Sequence, residues 1–341
     1  SNSSSSSSTS ASTDLSTDAV IASGSQQSQE LLKIEGSWRL GSSSSQDNIF
    51  SMRFAVPKGR MFDNIESLIK NSGIKLKVDA RNLRPTINIP NWSVKLLKPR
   101  NVVEMLQHGT RDIGFAGVDL IEELECSDVV PLFDTGMDAV RVVVAAPEAY
   151  LAKHGGKLPK DKRMRIATEY PTLTRKWIEK EGLNAEIVRT FGSTEVFPPE
   201  DADIIVDNTA TGTTLRANGL RIMDTLCHSS THVCVHKAVL NDSFKKQSAD
   251  DFVLLLRSSL EAASRVLLEF NVLSESQTSP LPTLFAFLPS LRTPTVSKLL
   301  NAKLDEVGYS VRTAVPKSKV ISLIPKIKKL GGTDILVSSI E

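Results

Sequence analysis

Apolar residues recur along most of this chain in two alternating patterns, short runs that suit strands and longer stretches at helical spacing. RFAVP, from Arg53, predicts a strand, and Met61 to Ser72 carries the helical spacing and stops at Gly73, a C-terminal capping residue. KLKVDA, VKLLK, DIGFAGV, VVPLFD and RVVVAAP follow as strands, with Val102 to His108 a helix ended by Gly109. After Lys153 to Arg163, a linker rich in Gly, Lys and Pro, a second unit opens. It reads RIATEY (strand), Pro171 to Glu181 (helix), then AEIVRTF and ADIIVD (strands), with Leu215 to Leu220 able to open a helix behind the last. THVCVHK then returns to the first unit, and a long helix runs from Ala249 to about Arg265. Strands alternating with helices imply parallel α/β sheets with helices on their faces. The tail, VLLEFNV, LPTLFAFLPSL, TVSKLL, YSVRTAVP, VISLIPKIKKLGG and TDILVSSIE, reads as a small α+β module whose last helix stops at Gly331 and Gly332.

The opening differs in kind. Ser1 to Gln29 is dominated by Ser with Thr, Ala and Gln and holds no aromatic residue. It cannot bury enough apolar surface to offset chain entropy, so residues 1–50 are expected to be a disordered leader. In a chain that opens on Ser rather than Met, this Ser-rich, acid-poor stretch reads as the tail of an organelle transit peptide in a processed form, without the Arg residues such peptides carry, an ordinary disordered leader with tag residues being the alternative.

At 341 residues the chain exceeds the usual size of one core, which implies two or three domains. A net charge of +2 is too near neutral to argue for nucleic acid or a membrane surface, and no apolar run approaches the ~20 residues that span a bilayer. Cys126, Cys227 and Cys234 are odd in number and lack paired metal spacing, so they read as reduced thiols packed like small apolar residues. His228 and His232 stand at helical spacing, but with no carboxylate in the motif they read as structural rather than as a zinc site.

The richest chemistry lies in ADIIVDNTATGTTLRANGL, from Ala202 to Leu220. A β-branched strand runs into Asp207 and then into a hydroxyl-and-glycine loop, Thr209, Ala210, Thr211, Gly212, Thr213 and Thr214, at a helix start. Backbone N–H groups there are unpaired and lie at the positive end of the helix dipole, which suits a sugar phosphate. Plain capping by threonine hydroxyls is the alternative. Asp207 can reach ribose hydroxyls or a magnesium ion. Lys58 and Arg60, in PKGR between a strand and a helix, can meet a pyrophosphate or triphosphate. Arg81, Arg84 and Arg100 follow further on. Asp112 and Asp119 flank GFAG and Asp134 ends another strand, where ligands of open α/β sheets gather. Tyr170 opens a helix, and Glu195 in GSTEVFP is a candidate nucleotide or metal contact. Neither a GxxxxGK[ST] loop nor a GxGxxG fingerprint is present.

TGTTLRANGL, RFAVPKGRMF, RDIGFAGVDL, RIATEYPTLTRKW and FGSTEVFP occur in an order, from about Met52 to Glu341, that closely resembles the long form of the ATP phosphoribosyltransferase family. The resemblance implies a two-lobed, periplasmic-binding-protein-like catalytic core, with residues 51–144 and 229–264 forming domain I and 145–228 domain II. A C-terminal ferredoxin/ACT-like α+β regulatory domain, 265–341, would follow. It implies condensation of ATP with 5-phosphoribosyl 1-pyrophosphate, with Mg²⁺ as cofactor and Asp207 and Glu195 as its ligands. Lys58, Arg60 and Asp207 fall at catalytic positions. Arg81, Arg84, Arg100, Asp112, Asp134, Tyr170, Glu195 and the loop Thr209 to Thr214 fall at substrate positions, and the alignment leaves open which of Arg81 and Arg84 meets the nucleotide. Where the family shows Asp, this chain has Asn101. The segment Leu291 to Leu300, with Leu291, Thr295 and Ser297, resembles the loop that binds histidine as feedback inhibitor. AMP is an open second inhibitor. Dimers and hexamers are implied, without nucleic acid or membrane. Plant members are plastid-targeted, which with the leader points to the plastid stroma, the cytoplasm being the alternative. A binding protein on the same scaffold, or an inactive paralogue, would share the two lobes but would not need TGTTLRANG.

Overall fold

The computed structural model describes residues 51–79, 82–273, 281–291 and 293–340; the expected leader and Arg81 lie outside them. The first lobe opens with β1 (Met52–Pro57), α1 (Phe62–Asn71), β2 (Leu76–Asp79), β3 (Asn82–Ile87) and β4 (Trp92–Leu97). It continues through α2 (Pro99–Gln107), β5 (Ile113–Gly117), α3 (Val118–Glu123) and β6 (Val129–Asp134). The second lobe holds β7 (Val140–Pro147), α4 (Glu148–Lys153), β8 (Met164–Thr168), α5 (Pro171–Glu181), β9 (Ala185–Arg189), β10 (Ile204–Thr209), α6 (Thr213–Ala217) and β11 (Leu220–Ser229). The chain then returns to the first lobe as β12 (Thr231–His236) and α7 (Ser243–Ala263).

The first sheet runs β4-β1-β5-β12-β6, with β1 parallel to β4 and β5 and β12 antiparallel to both its neighbours. Its central strands are covered on both faces, which is why β5 and β1 from Phe54 onward are continuously apolar rather than alternating. Phe252 of α7 closes one face against Phe54, Trp92 and Phe115, with ring centroids 5.0 to 6.2 Å from its own. The second sheet runs β11-β7-β10-β8-β9, in which β10, β8 and β9 are parallel and β7 is antiparallel to β10 and β11.

Several expectations shift. Val140–Pro147 pairs wholly with β10 and β11, so the lobes part before residue 140 rather than at 144. Leu215 to Leu220 does not continue a helix: α6 is five residues long, and after the Gly219 turn Leu220 enters β11 opposite Pro147. The long helix begins at Ser243, capped by Asp242, whose carboxylate accepts from Phe244 N and Lys245 N. His228 lies on β11 and His232 on β12, strands of different sheets, so their helical spacing carries nothing. All three cysteines are free, but only Cys234 is fully buried.

The third unit comprises β13 (Arg265–Leu273), α8 (Leu281–Phe287), β14 (Thr295–Leu300), β15 (Glu306–Pro316), α9 (Val320–Lys329) and β16 (Gly332–Ser339). Its sheet order, β14-β15-β13-β16 with every neighbour antiparallel, is that of a ferredoxin-like α+β module. Leu284 and Leu288, with Leu323 and Ile327, pack against Leu268, Phe270 and Val311 of its sheet. The segment expected to be a histidine loop is largely strand: Thr295 and Ser297 lie exposed on the same face of the edge strand β14, while Leu291 precedes it.

Candidate active site

The carboxyl ends of the parallel strands of both lobes converge on one cleft of about 460 Å³. The first lobe contributes Arg60 and Met61 beyond β1, Lys98 to Arg100 beyond β4, and Gly117, Asp119 and Leu120 at the β5 to α3 turn. The second contributes Glu169 and Tyr170 beyond β8, Arg189 to Phe191 beyond β9, and Asn208 on β10. Between them run the crossover residues Val140 and Ser229 to Thr231. Such a placement follows from chain direction: parallel strands all release their loops at one edge, so the loops of two facing sheets meet.

A buried polar network joins the lobes at the floor of this cleft. Ser229 Oγ donates to Asp119 Oδ1 at 2.6 Å and Tyr170 OH to Asp119 Oδ2 at 2.8 Å, while Asn208 Nδ2 donates to Tyr170 OH at 2.9 Å. Burial first, then the neighbouring Asp119 carboxylate, pushes the Tyr170 phenol well above its usual value, so it stays a donor. Gly117 is needed at the turn because a Cβ there would lie 2.3 Å from Asp119 Oδ1. A second bond between lobes comes from Glu123 at the end of α3. Its buried carboxylate accepts from Thr172 N at 3.0 Å and Leu173 N at 3.0 Å, satisfying the first turn of α5 from outside its own lobe.

Open to the cleft, by contrast, are cations and an aromatic ring. Arg60 is exposed, and Arg100 is held to Glu104 Oε1 at 3.2 Å. Phe191 is 85% exposed, unusual for a large apolar side chain, with the Arg189 guanidinium 5.2 Å from its ring centroid. Asp138 is already engaged by Asn64 Nδ2 at 2.7 Å and Thr231 Oγ1 at 3.0 Å.

Of the residues singled out in the sequence, Arg60, Arg100 and Tyr170 line this cleft. Asp207 sits one residue before Asn208, partly buried, and its carboxylate accepts from Asn208 N at 2.7 Å. Burial, reinforced by Glu169 and Glu195, pushes its carboxyl up to about 6 against the opposing hydrogen bonds. Asp207, Glu169 and Glu195 thus form one acidic group beside the cleft. Lys58 is exposed at the end of β1, its N–H donating to Leu97 O at 2.8 Å.

The loop Ala210 to Thr214 is not among the cleft's lining residues. Gly212 takes φ 74°, which favours glycine, and its N–H donates to Thr209 Oγ1 at 3.0 Å. Thr211 and Thr213 share a hydroxyl bond of 2.8 Å, and Arg216 Nη2 donates to Thr213 Oγ1 at 3.3 Å. Thr211, Thr213 and Thr214 are all exposed.

Asp134 adjoins the crossover: its Oδ1 accepts from Ser230 Oγ at 2.6 Å and Gly136 N at 2.8 Å. Burial alone would raise its carboxyl, but these bonds and His232 hold it below the usual value. Two of the singled-out residues lie away from this cleft. Asp112 precedes β5, at the opposite strand end from the cleft, where Arg53 and Lys245 saturate it, Arg53 Nε at 2.8 Å and Lys245 Nζ at 2.9 Å. A carboxylate so occupied is a structural brace. Arg84, on β3, faces a separate cavity. Sequence reasoning missed Arg189 and Phe191, although Phe191 opens the quoted FGSTEVFP motif, and it missed Glu169, inside RIATEYP.

A two-lobed α/β cleft rimmed by arginines, with an exposed aromatic ring and a threonine loop nearby, defines an enzyme of phosphorylated, nucleotide-sized substrates. Comparison with known proteins agrees. The ATP phosphoribosyltransferase family profile matches residues 98–258, and that of the HisG C-terminal domain matches 262–341. The ATP phosphoribosyltransferase of Chlorobium phaeobacteroides is 33% identical over 295 residues, 85% of this chain and 96% of its own length. That of Methanocaldococcus jannaschii is 33% identical over 291 residues, 84% of this chain and 98% of its own. In the solved structure of the ATP phosphoribosyl transferase (HisG:HisZ) complex from Thermotoga maritima, one chain superposes with a TM-score of 0.54 at 29% identity, covering 62% of this chain and 98% of that one. The chain belongs to the ATP phosphoribosyltransferase family, whose reaction joins ATP to 5-phosphoribosyl 1-pyrophosphate as the first step of histidine biosynthesis.

Proposed function

We propose that the cleft performs this condensation by alignment and charge rather than by covalent catalysis. The observation that carries the reading is the pairing across one cleft of Arg60 and Arg100 on the first lobe with the exposed Phe191 on the second. Adenine N1 is already a nucleophile, so the protein's task is to hold it in line with C1 of the sugar and to stabilise the departing pyrophosphate. Arg60 and Arg100, with Lys58 at the rim, neutralise that leaving group. Phe191 offers the adenine a stacking face, and Thr211 to Thr214 hold the 5-phosphate, exchanging their mutual hydroxyl bonds for bonds to the anion. Asp207 faces the ribose, with Glu195 and Glu169 beside it.

Magnesium fits this site as an ion carried by the pyrophosphate. Among the described residues no group of three His, Cys, Asp or Glu side chains could hold a metal by itself. Mg²⁺ commonly binds through one or two carboxylates plus substrate phosphates, and Asp207 and Glu195 would supply those. When bound it would add charge neutralisation at the leaving group.

The C-terminal module would carry histidine inhibition, with the Thr295 and Ser297 hydroxyls as donors on β14, and AMP would compete in the cleft. Assembly into dimers and hexamers is the corresponding quaternary reading. Among the described residues no helix is long and apolar enough to cross a membrane, and the Ser-rich leader supports a plastid setting.

An absorbance assay with ATP, 5-phosphoribosyl 1-pyrophosphate and Mg²⁺ tests the proposal in wild type and in Arg60→Ala with Arg100→Ala. Turnover in the first and its loss in the second is the expected result. Binding of both substrates without turnover in wild type would instead make the chain a binding protein or an inactive paralogue.

A further inference from the structure

At the flank of the first lobe a second cavity of about 210 Å³ is lined by Arg84, Pro85, Ser93, Val94, Lys95 and Arg111, and it shares no lining residue with the cleft. Its construction follows from strand alternation. Val94 and Leu96 point into the core of the first lobe, so Ser93 and Lys95 project from the other face of β4. Arg84 comes from β3, and Arg111 from the turn before β5.

Three cations therefore surround one small cavity, and the nearest carboxylate, Asp112, acts on Arg111 only at longer range than an ion pair. Asp112, next to Arg111 in sequence, is already spent. Its Oδ2 accepts from Arg53 N and Arg53 Nε, both at 2.8 Å, and its Oδ1 from Arg53 Nη2 at 2.8 Å and Lys245 Nζ at 2.9 Å. Among the described residues no carboxylate lies within ion-pair distance of Arg84, Lys95 or Arg111. The cations feel one another: Arg111 first and then Arg84 hold the Lys95 ammonium below its ordinary value, with partial burial a smaller cause. Like charges gathered without a counter-charge cost free energy unless an anion completes them.

We propose that this cavity is a second anion site that takes a compact phosphate chain, either free pyrophosphate or the phosphates of a nucleotide. Two guanidinium groups can each grip phosphate oxygens through paired N–H donors, Lys95 adds a point charge and Ser93 a hydroxyl. The cavity holds many times the volume one water needs, but it is too small and too polar to seat a nucleobase as well, so the recognised group is the phosphate chain. The inference does not depend on the roles assigned to the cleft residues.

Calorimetric titration of the full chain with inorganic pyrophosphate, at fixed ionic strength, tests it in three proteins: wild type, Lys95→Met with Arg111→Met, and the cleft variant Arg60→Ala with Arg100→Ala. Wild type is expected to take up pyrophosphate at two sites per chain. The Lys95/Arg111 variant should keep the cleft site and bind at the outer one at least about tenfold more weakly, since two charge-assisted contacts are removed. The cleft variant should show the converse. Repeating the titration with ATP separates the sources: a nucleotide ligand loses its outer site in the Lys95/Arg111 variant, whereas a free-anion site shows that loss with pyrophosphate alone. Pyrophosphate binding that is undiminished in the Lys95/Arg111 variant, whether wild type shows one site or two, overturns the proposal, and a single wild-type site lost in that variant supports it. Circular dichroism monitors folding, and the single Lys95→Met, outside the core, serves if the double variant is unfolded. Turnover is measured on the same wild-type preparation, so two pyrophosphate sites without turnover would sink the cleft reading and leave this one standing.

Discussion

Replacing Asp207 by Asn isolates the charge of the most perturbed carboxylate near the cleft. Asn keeps the size of the side chain and an oxygen able to accept from Asn208 N, as the carboxylate does at 2.7 Å. What disappears is a negative charge that burial, Glu169 and Glu195 all oppose, raising the carboxyl from 3.8 to about 6. That gap corresponds to about 3 kcal/mol of disfavoured ionisation, reduced to about 2 because the side chain is only partly buried. A folded carboxyl that binds its proton more tightly than the unfolded one stabilises the fold fully below the unfolded value. It loses that contribution as pH rises through about 6. Wild type should therefore weaken between about pH 4 and pH 6 by an amount the variant escapes. Denaturant melts of both proteins near pH 4 and near pH 8 should show equal midpoints in the first condition and a more stable Asp207→Asn in the second. Turnover should move the other way, rising through about pH 6 in wild type and staying low in the variant. A variant less stable than wild type at both pH values would show the carboxylate to be structural, and normal turnover would remove it from the site.

Thr211→Ala and Thr214→Ala should each weaken 5-phosphoribosyl 1-pyrophosphate by about 1.5 to 3 kcal/mol, and ATP less, because each removes a hydrogen bond to a charged group; unchanged donor affinity in both by calorimetry would reduce the loop to a cap. Phe191→Ala should raise KM for ATP by the equivalent of about 1 to 3 kcal/mol with the melting temperature unmoved, since the ring is 85% exposed and stacks on nothing in the core. An unaltered KM for ATP would take Phe191 out of the nucleotide site. Thr295→Ala with Ser297→Ala should abolish most of a histidine inhibition worth about 1 to 3 kcal/mol of coupling while leaving uninhibited turnover alone. Inhibition at the same histidine concentration as wild type would move the site elsewhere.

Local pattern alone determined a good deal of this protein. The apolar runs of β1, β5 and β10, the stops at Gly73, Gly109 and Gly331, and the alternation that makes two α/β lobes and a C-terminal α+β module all follow from burial period and capping, which act over a few residues. Order of motifs carried the family, because RFAVPKGRMF, RIATEYPTLTRKW and TGTTLRANGL keep their succession whatever the folding details. Tertiary structure decided the rest. Val140–Pro147 reads as one more apolar strand and nothing in its composition says which sheet it joins; only pairing with β10 and β11 places it in the second lobe. Asp112 and Asp119 flank the same GFAG strand and look alike in sequence. A strand has two ends, however, and the one facing the cleft is set by the parallel packing of β1, β4 and β5. Asp119 therefore holds Tyr170 and Ser229 across the lobes, while Asp112 braces Arg53 and Lys245 at the far edge. Arg60 and Phe191 stand 131 positions apart along the chain and are brought to one cleft by the meeting of two sheets. No local rule reaches across such a separation, because the free energy that joins them belongs to the packing of whole lobes.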